Sequence, residues 1–247
     1  MKALKFTLSG ETAFFKNPDV NTYLYFTYGN IHKIAILGII GAAIGLAGYN
    51  FQKKQNFPQF YSELNSLNIS IVPRNERGYI PKKVQVFNNS VGYASQEQGG
   101  NLIVKEQWLE KPIWDIYILI DDNKNMDKIT HSFLNNSFIY MPYLGKNDHY
   151  ANITGSQLVD LKETTSFEKV NSLFIKDYFE FKKEEKKVFN LSFQHEDMWK
   201  YEERLPMALE IEQNQYITVP FIFTNMKVQP KESCKLFAES EKILFFF

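Results

Sequence analysis

Cysteine is almost missing from this sequence. Cys234 stands alone among 247 residues, which excludes an internal disulfide. With no basic, apolar secretory start, a reducing cytoplasm is the expected home. Histidine is scarce as well: four scattered residues and one thiol show no zinc-ligand spacing, so neither a metal nor another cofactor is expected. Excess charge of either sign is absent, with 28 basic against 28 acidic residues, which excludes a protein coated in basic surface. Long apolar runs are missing too. The longest, residues 34–49, has 16 residues against the roughly 20 that a bilayer demands. Its segment 41–45, GAAIG, matches the small-xxx-small pattern of paired membrane helices. A membrane-associated helix protein is therefore kept as an alternative, although no membrane partner is expected.

What the chain does have is ample core material, at 44% hydrophobic and 16% aromatic residues, enough for one large domain or two small ones. The 34–49 run carries Gly38, Gly41, Gly45 and Gly48, which together forgo roughly 3–4 kcal/mol of helix propensity. Their spacing of three, four and three puts them on one side of a helix, where missing side chains let another backbone approach. A buried helix lying tightly on a sheet is the expected outcome.

The neutral total hides an asymmetry. Residues 1–110 hold 11 Lys/Arg against 7 Asp/Glu, and residues 111–247 hold 17 against 21. Such a split suits a subunit that touches a polyanion with one region and protein with another, and it also lies within ordinary scatter.

Alternation of apolar and polar residues predicts a half-buried strand over 3–9, followed by a loop to residue 30. Helices are expected over 31–49 and over 57–67, the second introduced by Pro58. Residues 69–73, 84–87, 102–109 and 113–121 read as extended runs, 126–134 as a helix and 138–141 as a further strand. Strand, helix, strand, strand, helix, strand is the split βαβ arrangement of ferredoxin-like and RNA-recognition folds, an α+β class. Beyond residue 152, segments 172–181, 188–193 and 216–224 are strand candidates, Pro220 marking an edge or bulge. Residues 182–187 read as a solvated turn.

One excursion interrupts the pattern. Residues 74–83, RNERGYIPKK, carry four positive charges against Glu76, with Gly78 and Pro81 breaking regular structure. A hairpin extension of this kind can set Arg74, Arg77, Lys82 and Lys83 along a phosphate backbone while Tyr79 offers a ring to a base. A solvated charged hairpin is the competing reading.

Three segments in order then resemble a known family. The opening 5–21, KFTLSGETAFFKNPDVN, the helix 34–45 and the loop 141–149, MPYLGKNDH, are together similar to the "Cas five" subunit of type I-B CRISPR effector (Cascade) complexes, in the RAMP superfamily. The resemblance covers residues 1–155 well and the rest in general layout. It implies a ferredoxin-like domain over 1–155 with a β-hairpin thumb at about 73–84, and a smaller, mainly β region over 156–247. It also implies a non-catalytic role in antiviral defence: holding and capping the 5′ handle of the guide RNA. The implied neighbours are the backbone-forming subunit and the large PAM-reading subunit, with target DNA engaged through the complex.

A guide handle is single-stranded, so its phosphates need cationic or amide donors and its splayed bases need polar edges and rings. Lys16, Asn17 and Asn21 in the first loop, Tyr28, His32 and Lys33 at the helix entry, and Lys146, Asn147 and His149 in the Gly145 loop supply those groups. A loop leaving a strand at 138–141, beside the first strand, would bring them together. Asn17 before Pro18 is also ordinary turn chemistry. One CRISPR subtype uses a related subunit as a metal-independent endoribonuclease on repeat RNA, an alternative for which His32, His131, His149 and His195 are available. No compact motif assigns them to catalysis.

Overall fold

The computed structural model describes residues 1–20, 22–182, 197–231 and 234–247. Strand β1 (Lys2–Ser9) buries Leu4, Phe6 and Leu8 on one face. It pairs antiparallel with β6 (Ile113–Leu119) on one side and β7 (Asn152–Asp160) on the other, and β3 (Ile69–Pro73) adds to β6. The sheet order is β3-β6-β1-β7. Helix α1 (Lys33–Ile44) connects β1 to β3, and α3 (Met126–Leu134) connects β6 to β7. This βαββαβ succession with an antiparallel sheet is the expected ferredoxin-like, α+β arrangement.

Both faces of the sheet are covered, which explains why β6 reads as a continuous apolar run rather than an alternating one. On one face Phe6, Ile116 and Ile118 meet Leu37 and Ile40 of α1 and Phe133 of α3 in a common core, with the Phe6 and Phe133 ring centroids 4.6 Å apart. On the other, Ala3, Val72 and Tyr117 meet Phe237 and Leu244 from a hairpin of β14 (Leu236–Glu239) and β15 (Lys242–Phe245). Asp115 of β6 is buried on that second face. Its carboxylate accepts from Thr7 Oγ1 at 3.0 Å, Arg74 Nη1 at 3.1 Å and Lys242 Nζ at 3.1 Å. Burial opposes the charge, but Lys242, Thr7 and Arg74 outweigh it and hold the carboxyl below the usual carboxylate range.

The hairpin differs in position from expectation. Segments 84–87 and 102–109 are not strands of the main sheet. They form a separate hairpin, β4 (Lys82–Asn88) with β5 (Ile103–Glu110), to which β2 (Thr12–Ala13) adds at the base. The thumb is therefore residues 82–110 with its tip at 89–102, not 73–84. Residues 74–81 link the sheet to it: Arg77 (φ 54°) and Gly78 (φ 72°) sit in the left-handed region and Pro81 lacks an N–H, so this stretch builds no ladder.

The strand expected at 138–141 is absent as well. The N–H groups of Ile139 and Tyr140 donate to Ala43 O and Ala42 O at the end of α1, so this segment caps a helix. β7, which continues past residue 155, takes the place beside β1.

Helix α1 is shorter than its apolar run. Gly45 takes a left-handed conformation (φ 79°) and Leu46 N–H returns to Gly41 O, a glycine helix stop. Only Gly38 and Gly41 lie inside the helix, and neither has a strand of the sheet against it, while Ile36, Leu37, Ile40 and Ile44 share the core with β1 and β6. Gly41 abuts Phe60 of α2 (Gln59–Leu64), whereas a Cβ on Gly38 would meet nothing within 4 Å. No helix among the described residues is long and apolar enough to cross a membrane.

After β7 the chain is mainly β. β8 (Lys162–Thr164) joins β14; β9 (Phe174–Ile175) and β11 (Lys200–Leu209) flank β12 (Tyr216–Thr224); β10 (Phe179–Phe181) pairs with β13 (Val228–Pro230). The candidate 172–181 thus splits into two short strands. Pro220 lies where β9, which pairs only with Phe221 and Ile222, has stopped. The strand expected at 188–193, the turn at 183–187 and His195 lie outside the described residues. Leu205, Leu209 and Phe221 belong to the same core as β1 and α1.

The two helical glycines separate cleanly in their consequences. A Cβ on Gly41 would stand 2.6 Å from Phe60 Cβ and 3.7 Å from its Cα, so Gly41→Leu is expected to cost about 1–3 kcal/mol or more through overpacking. Gly38→Ala is expected to gain about 1 kcal/mol from helix propensity. Thermal unfolding of both variants checks the pair; equal Tm changes would contradict the packing.

Candidate nucleic-acid interface

The face of α1 that carries small residues borders an open groove of about 1040 Å³. Ala35, Gly38 and Ala42, with Gly45 just past the helix, repeat at helical spacing and form its floor. Tyr49, Phe51, Phe60, Lys16, Tyr25, Tyr140, Tyr143 and Lys146 line it further. His32 and Tyr216 also line it. Among the expected residues the fold therefore brings Lys16, His32 and Lys146 to one place.

Backbone geometry sets each of them. Lys16 follows β2 and bridges to Thr27, with its Nζ 4.2 Å from the centre of the Tyr25 ring. Lys146 follows Gly145 (φ 90°), where a Cβ would run into Phe14 O, so only glycine lets this loop close on the first one. Lys146 Nζ then lies 3.0 and 3.1 Å from the two carboxylate oxygens of buried Glu106 on β5. Trp108 Nε1 donates to the same carboxylate at 2.8 Å.

His32 is the N-cap of α1: its Nδ1 accepts from Ala35 N–H at 3.3 Å. The ring is 3% exposed and stands among Phe15, Tyr28 and Tyr216. Burial drives its pKa down to about 3, so it is neutral at ordinary pH. Since Nδ1 accepts, the proton sits on Nε2.

His149 is also buried, beneath the thumb. Its Nδ1 and Thr12 Oγ1 are 2.6 Å apart, its ring meets Trp108 edge-on at 4.6 Å, and its Nε2 has no partner among the described residues. Burial first, then Lys146, push its pKa down.

The remaining expected residues lie elsewhere. Tyr28 is core, packed on His32 and Tyr216, not a stacking platform, and burial raises its pKa. Asn17 Oδ1 accepts from Asp19 N–H, the turn role anticipated for it. Lys33 is buried at the first turn of α1, and burial lowers its pKa to about 8. Asn147 is exposed on the Gly145 loop. Asn21 lies outside the described residues. The 74–83 group does not form one cationic edge and none of it lines the groove. Arg74 is spent on Asp115, Arg77 lies 3.8 Å from Asp197, and Lys83 pairs with Glu110 at 3.5 Å, while Tyr79 and Lys82 stay exposed. No group of three or more potential metal ligands occurs among the described residues.

The sequence reading missed Tyr25, Glu106, Tyr140, Tyr143 and Tyr216. The small residues at 35, 38 and 42 were a legible signal for the floor. Nothing local marked Glu106, which is tied into the groove by its bridge to Tyr25 and its pair with Lys146, both distant in sequence.

No family model and no curated protein matches the sequence. Solved structures do match in shape. A CRISPR protein from Archaeoglobus fulgidus superposes with a TM-score of 0.51 at 11% identity, over 99% of this chain and 98% of that one. A chain of a CRISPR RNA-guided surveillance complex gives 0.50 at 10% identity, over 93% and 91%. This chain shares their fold. Both overlays extend well past β7, so the likeness includes the β-rich C-terminal region as well as the ferredoxin-like sheet.

Because folded His32 resists protonation while the unfolded chain titrates near 6.5, the unfolded state binds the extra proton as pH falls. Its contribution therefore erodes stability from about pH 6.5 down toward about pH 3, and His149 acts in the same direction. His32→Asn keeps a capping acceptor and removes that titration. It is expected to match the parent Tm near pH 8 and to lose less Tm between about pH 6.5 and about pH 4. Parallel curves for the two proteins would refute the assignment.

Proposed function

We propose that this chain is a subunit of a CRISPR RNA-guided effector complex, of the "Cas five" type found in type I-B systems, and that it binds and caps the 5′ handle of the guide RNA. The observation that carries the reading is the groove: two lysines and several tyrosine rings around a floor of alanine and glycine. Lysines meet phosphates and rings stack on unpaired bases, the two components of single-strand recognition. The shared fold with CRISPR proteins supports the setting. In this reading the β4–β5 thumb and the outer surface meet the backbone and large subunits in the cytoplasm, and target DNA is engaged through the complex.

Binding rather than cleavage is the role we infer. A general base works best with a pKa near the operating pH; His32 is held far below that range and spends Nδ1 on a helix cap, and His149 is buried against Trp108 and Thr12. The purified protein is expected to retain repeat RNA uncut. Specific cleavage without metal, abolished by changing His149, would favour the nuclease alternative instead.

Co-expression with a CRISPR array and sequencing of the co-purified RNA tests the assignment: short RNAs sharing one 5′ repeat tag are expected. Replacing Lys16 and Lys146 by Gln, the latter keeping a donor for Glu106, should flatten the log–log salt dependence of RNA binding by about 0.7 per lost phosphate contact. An unchanged slope would remove the groove from the interface.

A further inference from the structure

If single-stranded RNA lies in this groove, something in it must tell one base from another, and the lysines and rings are indifferent to sequence. We infer that His32 is the specificity-determining donor of the groove, its Nε2–H hydrogen-bonding a keto oxygen on the edge of a base laid over Gly38. The inference rests on the RNA-binding reading above and adds a chemical selectivity to it.

Three observations carry it. First, the tautomer is fixed by the fold: Nδ1 accepts from Ala35 N–H, so Nε2 is a donor and cannot turn into an acceptor without losing the cap of α1. Second, that donor is unspent. His32 is 3% exposed as a residue, it lines the groove, and no hydrogen bond to its Nε2 occurs among the described residues. Its ring neighbours Phe15, Tyr28 and Tyr216 stand edge-on or tilted. Nε2 is not one of the fully buried atoms left without a partner, so it stands open to the groove, where a ligand acceptor can reach it.

Third, the neighbouring floor fits a flat ring. Ala35 and Gly38 are the next two positions of the same helix face, and a Cβ on Gly38 would meet nothing within 4 Å. A base lying there presents its edge toward the helix N-terminus, where His32 sits. Burial keeps the imidazole uncharged, so it adds no attraction for phosphate and acts only through this one directed bond. Uracil O4 and guanine O6 satisfy a fixed donor. The amino groups at the same positions of cytosine and adenine oppose a donor to a donor.

Anisotropy titrations at one fixed salt concentration test this with labelled single strands of roughly eight nucleotides. The wild type is expected to bind oligo(U) about tenfold more tightly than oligo(C), or an oligo(G)-containing strand about tenfold more tightly than its oligo(A) counterpart. His32→Asn, which keeps the cap, should bind the members of each pair within about twofold of each other. A measurement on the wild type alone guards against a variant that fails to fold. Replacing uracil by pyrimidin-2-one, or guanine by 2-aminopurine, deletes the keto oxygen and should cost about tenfold in at least one pair. Binding that is unaffected by both deletions, or discrimination that survives in folded His32→Asn, would overturn the donor role while leaving RNA binding intact. If the wild type binds none of the strands at low salt, the RNA reading itself falls and this inference with it.

Discussion

Gly41 meets Phe60 with no room for a Cβ between them, and this contact sets how close α2 stands to α1. The rest of the candidate site depends on that spacing. With α2 drawn in, Phe60 and Tyr49 line the groove, their rings 5.7 Å apart and edge-on. One turn away on the same helix, Gly38 has no neighbour at all, so the floor stays open where a larger side chain would fill it. The same twelve residues thus serve two purposes: Ile36, Leu37, Ile40 and Ile44 join the core shared with the sheet, and the small residues leave space.

Several elements were legible because a local pattern and the tertiary environment agree. The alternation in β1, the Pro58 entry to α2 and the turn at Asn17 are of that kind. The errors have specific causes. Val84, Val86 and Ile103 carry the β-branched composition of core strands yet lie more than half exposed on the thumb, and composition alone does not distinguish a projecting hairpin from a sheet interior. Residues 138–141 have strand-forming side chains, but their N–H groups are claimed by the carbonyls that end α1, a partner far away in sequence. Arg74 looked like a phosphate ligand because Asp115, its carboxylate, lies 41 residues further on.

Asp115 shows how the two regions are tied together. A buried carboxylate is costly unless well paired; here the three donors come from β1, the end of β3 and β15. Removing any one leaves the charge less compensated, so this node penalises arrangements in which β14 and β15 dock out of register on the sheet. It contributes specificity of assembly more than net stabilisation.

The pairing of Glu106 with Lys146 has a consequence for how the groove would select its guests. The cation at its rim is not bare; it is already neutralised from within by a buried carboxylate. An incoming anion has to exchange with that internal counterion, and a small solitary anion gains little by doing so. A chain of linked phosphates that also engages Lys16 and the tyrosine rings makes the exchange at one point of a longer attachment. On the proposed function the groove would thus behave like a weak ion exchanger loaded with its own counterion, passing over the salts and metabolites around it and responding to polymers.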